Sequence, residues 1–441
     1  MIAARKTDRR AYVNAHILSP HQGHDGVGGL LVEDGWILAA GSSVTRDSVG
    51  TNTQVIDCKG KLIIPGLVDM RVFTGEPGAE YRESLASASE AAAAGGVTTM
   101  IVMPNTSPVI DDAAIVDYVL RRARDTALVR VAPMAAISKG LAGETLAEIG
   151  LLKAAGAVAI TDPVRSIANA NLFRRALTYA SDFNMLVVAH VEEPTLSSGV
   201  MNGGEMASRL GLSGIPAMSE VMALERDLRL VEMTGARYHA SQISCSESLN
   251  VIAKAKDKGL PVTCGVSINH LVLNENDVGA YRTFFKLSPP LRDEEERRAL
   301  VAGLAEGIID VVVSSHDPQS ADTKRLPFAE AAFGAIGLET MLSAALSLYH
   351  SENISLQRLV EAMSQVPARI LGLETGRLAA GAPADFVVVD PQLSWKVEES
   401  SLKSRSKNSP LNIERWKGGL LKRSLQGEQF THTLPKIEKQ A

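Results

Sequence analysis

The chain has 441 residues, a net charge of −5 and 45% hydrophobic residues, enough for one large domain with an appended unit. That charge leaves no footprint for nucleic acid or an anionic membrane, and an aromatic content of 4% argues against a base-stacking surface. The widely spaced Cys58, Cys245 and Cys264 form neither a disulfide framework nor a CxxC metal site, so a reducing cytoplasm is expected.

The N-terminus, MIAARKTDRRAYVNAHILSP, has no apolar core of signal-peptide length. No segment approaches the ~20 apolar residues of a membrane span. From about Ala11 to Ile64 the stretches AYVNAHIL, GGLLVEDGWILAAG and TQVIDCKGKLIIP read as short strands, with EDG and KG as hairpin turns. Near the other end, GRLAAGAPADFVVVDP (Gly376 to Pro391) has the same character. A small β-domain assembled from residues 1–64 and 375–441 is therefore expected, with the Lys-, Ser- and Glu-rich tail after Pro391 wrapping the surface.

Residues 65–374 alternate differently. Eight apolar runs, LIIPGLVDMRVF, GVTTMIVMP, VRVAPMAAIS, AVAITDP, NMLVVAHVE, ARYHASQIS, PVTCGVSINH and IIDVVVSSH, are separated by helical segments such as ESLASASEAAAAG and ANLFRRALTYASDF. Eightfold strand–helix alternation predicts an α/β fold of the (β/α)8 TIM type, with chemistry at the C-terminal ends of the strands.

Those ends carry Arg71 and Phe73, Asn105, Ser138, Asp162, His190, His239 with Gln242, His270, and Ser315 with His316. A binuclear zinc site needs several imidazoles and an anionic bridge. Asp162 and His190 are good ligands, Gln242 and Ser315 are poor ones, Phe73 is none, and the permanent charge of Arg71 would face the metal. Each lone histidine reads first as a hydrogen-bonded strand-end residue. A mononuclear site from Asp162, His190 and one further histidine is the other reading.

The blocks PGLVDM…EPG, GGVTTMIVMPNTSPVID, AHVEEPTLSSG, GIPAMSEVMALERDLRLVEMTGARYHASQISCSESL, KLSPPLRDEEERRAL and ADFVVVDP…SKNSPLN, spread from about Leu30 to Gly427, resemble the class I dihydroorotases of the amidohydrolase superfamily. The MPNTSPVID and SPPLRDEEER blocks favour dihydroorotase over hydantoinase. In that family the first strand reads His-x-His followed by Leu-Arg-Glu-Pro-Gly. Here Arg71 and Phe73 replace the two metal-binding histidines, and Gly75 replaces the arginine that binds the substrate carboxylate. Asp162 and His190 fall on kept metal-ligand positions, and Gln242 on the last metal histidine. The family's TDHAPH becomes SSHDPQ, so Ser315 stands for the general acid/base aspartate and Gln319 for the final histidine. Ser288 replaces a substrate-binding asparagine, whereas Asn105 is a kept substrate-binding residue.

These departures strike metal, base and substrate together. Loss of the base alone typically reduces a rate ~10² to 10⁴-fold, and loss of the metal and of a bidentate arginine adds to it. The resemblance thus implies a non-catalytic dihydroorotase homologue without metal or cofactor. It implies a structural and assembly role beside aspartate carbamoyltransferase in pyrimidine biosynthesis, as a cytoplasmic homo-oligomer. The alternatives are an amidohydrolase acting on a cyclic amide through an altered or mononuclear zinc site, and a small-molecule sensor or storage protein. A dead site would still hold Asp162, and Arg71 is expected to pair with it while Phe73 fills part of the vacated volume.

Overall fold

The computed structural model describes residues 8–351, 354–411, 415–425 and 428–430. The chain opens with β1 (Arg9–Ser19), β2 (His24–Glu33), β3 (Trp36–Gly41), β4 (Gln54–Asp57) and β5 (Leu62–Pro65). It then enters the strands β6 (Leu67–Val72), β7 (Val97–Val102), β8 (Arg130–Ala135), β9 (Ala159–Asp162), β10 (Leu186–Ala189), β11 (Tyr238–Ala240), β12 (Val262–Ser267) and β13 (Val311–Val313). Near the C-terminus come β14 (Phe386–Lys396), β15 (Arg415–Leu425) and β16 (Glu428–Phe430).

Strands β6 to β13 lie side by side in chain order, every adjacent pair parallel. A parallel bridge between Val72 and His316 joins the two edges, so the eight-stranded sheet is a nearly closed α/β barrel. Helices between the strands cover its outside, among them α1 (Leu85–Ala94), α2 (Ala113–Thr126), α3 (Ile149–Ala154) and α4 (Ala170–Asp182). Helix α1 starts at a capping box, in which the Ser84 hydroxyl accepts from the Ser87 amide and the Ser87 hydroxyl from the Ser84 amide. Alternation along the strands sorts the core. Met70, Ile101, Met134, Val188 and Val313 fill the barrel interior with Val366 and Ile370 beneath them, whereas Met100, Val102, Val187 and Val312 pack under the helices.

Strands β1 to β5 and β14 to β16 form the second sheet, in which β5 and β14 lie side by side in antiparallel register. Its core draws on both ends of the chain: Tyr12 meets Phe386 edge-on at 4.9 Å, with Ile17, Ile37, Ile63 and Leu378 around them.

Two expectations change. The EDG turn does join antiparallel β2 and β3, but Lys59–Gly60 makes no hairpin, because β4 and β5 both run parallel to β1. A local turn signal carries no information about β1, which is long enough to take both strands in succession. Nor does the whole tail lie on the surface: Ser404, Asn408 and Ser409 are buried. The Glu83 carboxylate accepts from the Ser404 hydroxyl and the Arg405 amide, and Glu339 accepts from the amides of Lys403 and Ser404. Its last residues, 431–441, lie outside the described residues. Among the described residues no helix is long and apolar enough to cross a membrane.

Candidate functional site

The residues singled out from the sequence gather at the C-terminal rim of the barrel, where parallel strands direct their loops toward one end. At the end of β6, Arg71 is half-buried and its Nη1 and Nη2 both donate to the Pro163 carbonyl at 3.3 Å. Burial pushes its pKa down, while the charges of Asp317 and Asp69 push it back up.

Arg71 does not pair with Asp162. Oδ1 of Asp162 accepts from the amides of Ile137 (2.9 Å) and Ser138 (3.1 Å), and Oδ2 accepts from the Ser138 hydroxyl. Burial raises the pKa of Asp162 and these donors oppose the rise. The carboxylate is satisfied by the loop after β8, which leaves it no need of a guanidinium.

Phe73 is 4% exposed, and the Arg82 guanidinium lies over its ring at 4.2 Å. The Phe73 amide donates to the His316 carbonyl at 2.9 Å, so Phe73 belongs to the barrel's closing seam. Gly75 has φ +72°, and a Cβ there would lie 2.5 Å from the Ala79 oxygen and 2.7 Å from that of Glu83. A side chain at this position is excluded by backbone on two sides and by the left-handed conformation.

The histidines behave as strand-end residues. His190 Nε2 is 3.1 Å from a Glu192 carboxylate oxygen. His239 Nδ1 is 2.8 Å from the Thr263 hydroxyl, and burial drives its pKa down to about 3. His270 Nε2 donates to the carbonyls of Pro289 (3.1 Å) and Pro290 (3.2 Å), and burial holds its pKa at about 4. In His316, Nδ1 accepts from the Gly337 amide at 3.3 Å while Nε2 lies 3.6 Å from Glu83.

Of the remaining positions, Gln319 gives Nε2 to Asp317 at 3.0 Å, and its amide donates to Asn408 at 3.2 Å. Ser315 has φ +52°, and Ser288, half-buried, precedes the Pro289–Pro290 carbonyls that hold His270. Both polar atoms of the Gln242 side chain, and Oδ1 of Asn105, are buried without a protein partner.

These donors do not fit a binuclear dication centre. Phe73 has no ligand atom, Asp162 spends its carboxylate on three donors of its own chain, and Arg71 brings a fixed positive charge. Among the described residues no three of His, Cys, Asp and Glu are grouped to hold a metal ion.

Two residues of the mouth escaped the sequence reading. Arg82 donates Nη2 to Asp317 at 2.9 Å and Nε to the Pro318 carbonyl at 2.8 Å. Asp317 is raised by burial and lowered by Arg82, Arg71 and Lys324. The signal for Asp317 was present: it is the Asp of SSHDPQ, where TDHAPH has Ala, a carboxylate added to a mouth that had also gained Arg71. Arg82 carries no such mark, since an arginine opening a helical segment reads as solvated.

The chain matches the model of the family described as Dihydro-orotase-like over residues 60–248. It is 42% identical over 406 residues to a dihydroorotase of Pelobacter propionicus, covering 92% of this chain and 95% of that one. A dihydroorotase of Anaeromyxobacter dehalogenans is 42% identical over 421 residues, covering 95% and 94%. Among solved structures, L-hydantoinase (dihydropyrimidinase) from Arthrobacter aurescens superposes with a TM-score of 0.86 at 25% identity, over 96% of this chain and 97% of that one. D-hydantoinase from Thermus sp. shares the fold, with a TM-score of 0.81 at 24% identity over 96% and 95%. With its barrel, its rim positions and relatives of this similarity along nearly its whole length, the chain belongs to the dihydroorotase-like family of the amidohydrolase superfamily.

Proposed function

We propose that this chain is a non-catalytic dihydroorotase homologue that acts as a structural and assembly partner of aspartate carbamoyltransferase in pyrimidine biosynthesis, working in the cytoplasm as a homo-oligomer without metal. The observation that carries the loss of catalysis is the state of the first barrel strand. Arg71 is held by a backbone carbonyl where a metal ligand is needed, and Phe73 is walled in by Arg82. Gly75 admits no side chain to clasp a carboxylate. What supports the partner role is the family resemblance, together with a barrel and terminal sheet that each keep a buried apolar core. Co-expression tests it: this chain and the aspartate carbamoyltransferase of the same host elute as one assembly, and deletion of this chain lowers the partner's activity or oligomer size. A transcarbamoylase of undiminished size and activity in its absence removes the reading.

The Gln242 amide and Oδ1 of Asn105, buried without a protein partner among the described residues, favour a second reading, an amidohydrolase with an altered or mononuclear zinc site, since they leave polar groups unspent. Stoichiometric zinc in protein purified without chelator, with turnover of a cyclic amide, would establish it in place of the first.

A further inference from the structure

The charges of the mouth do not balance around Arg71. A guanidinium offers five N–H donors in a planar fork, yet among the described residues the only acceptor that Arg71 reaches is one carbonyl, that of Pro163, at 3.3 Å, beyond the usual ~2.9–3.0 Å. No carboxylate stands at ion-pair distance from it among the described residues, and Asp317 and Asp69 act on it only through space. Neither carboxylate is idle. Asp317 is held by Arg82 at 2.9 Å and by the Gln319 amide at 3.0 Å, and it also faces Lys324. Asp69 accepts from the backbone amides of Arg71 and Ser314.

Arg82 alone contacts Asp317, while Arg71 and Lys324 act on it through space, and of the two guanidinium groups that of Arg71 is the less engaged. Arg71 remains half-buried rather than sealed, while burial is the largest influence on its charge. A charge mostly surrounded by protein yet still touched by solvent is screened less than one on the open surface, so an incoming anion feels it more strongly.

We propose that the barrel mouth is an anion-binding site in which Arg71 receives one small oxyanion, the carboxylate or phosphate group of a soluble metabolite, with Arg82 alongside. The planar fork suits bidentate capture of such a group. Asp317 acts as the opposing charge that tempers affinity. The site does not depend on the partner role, and it puts a fixed positive charge at a position where the family has a neutral histidine.

The test uses the full chain with inorganic phosphate and with malonate as probes, each matched to chloride at equal ionic strength, read by calorimetry and thermal unfolding. Saturable binding of at least one probe is expected. Arg71→Gln should weaken it about tenfold or more, the loss of a charge-assisted bidentate contact, while Asp317→Asn should tighten it several-fold by removing a competing negative charge. Preference for phosphate assigns a phosphate-bearing ligand, and preference for malonate a carboxylate-bearing one. If circular dichroism shows that Arg71→Gln does not fold, Arg71→Lys is read by the same criterion, because a point charge does not replace the fork. Absence of saturable binding beyond the chloride control, wild-type affinity in the folded Arg71 variant, or weaker binding in Asp317→Asn overturns the proposal.

Discussion

Asp162 and Ser138, from neighbouring strand ends, lock together: the Ser138 hydroxyl donates to one carboxylate oxygen of Asp162 and its amide donates to the other at 3.1 Å. The Ile137 amide completes the set at 2.9 Å. A carboxylate that accepts several donors is retained in a buried place without a counter-ion, because each donor replaces part of the lost hydration.

A double-mutant cycle measures this arrangement directly. Ser138→Ala and Asp162→Asn should couple by about 1–3 kcal/mol in urea unfolding. The cycle of Arg71→Ala with Asp162→Asn should show under about 0.5 kcal/mol. A large Arg71–Asp162 coupling would mean that the guanidinium swings onto the carboxylate in solution.

Restoration of the first strand should fail for a steric reason as well as a chemical one. Arg71→His with Phe73→His leaves Ser315 and Gly75 unchanged, so dihydroorotate turnover should stay undetectable. Adding Gly75→Arg places a Cβ within 2.7 Å of two backbone oxygens at φ +72°, and should destabilise the fold by roughly 2–4 kcal/mol. Thermal unfolding and an assay for carbamoyl aspartate check both arms. A triple variant of wild-type stability would show that the turn from Gly75 to Ala79 yields easily.

The buried histidines predict an acid dependence. His239 and His270 are held neutral, with pKa values near 3 and 4 against 6.5 in an exposed histidine. The unfolded chain therefore takes up protons first as pH falls below about 6.5, and the stability that these histidines contribute above that pH is lost toward pH 4. Asp69 and Asp227, both raised by burial to about 6, act in the opposite direction between about pH 6 and 4. Comparison with a variant isolates one term. The stability advantage of wild type over His270→Gln should shrink by on the order of 2 kcal/mol between pH 7 and 4.5. Urea midpoints at several pH values measure it, and a constant difference would place His270 in a wetter site than its carbonyl partners indicate.

The barrel was legible in local patterning, because each of its eight strands is a short apolar run between helix formers, and that periodicity is a local property of the chain. The sequence also determined the positions of Arg71, Phe73, Asp162 and Ser315 on the rim, since the strand ends follow from the same runs. Tertiary structure alone decided the partners. Arg71 turned to the Pro163 carbonyl and the field of Asp317 rather than to Asp162, because Asp162 had already been claimed by Ser138 and Ile137. Likewise Glu83 meets Ser404 and Arg405, more than three hundred positions away in the chain, and so fastens a tail that composition alone assigned to the surface. A residue's type records what it is able to bond, but its partner depends on which of the other chain segments folding brings within 3 Å, and no local pattern encodes that distance.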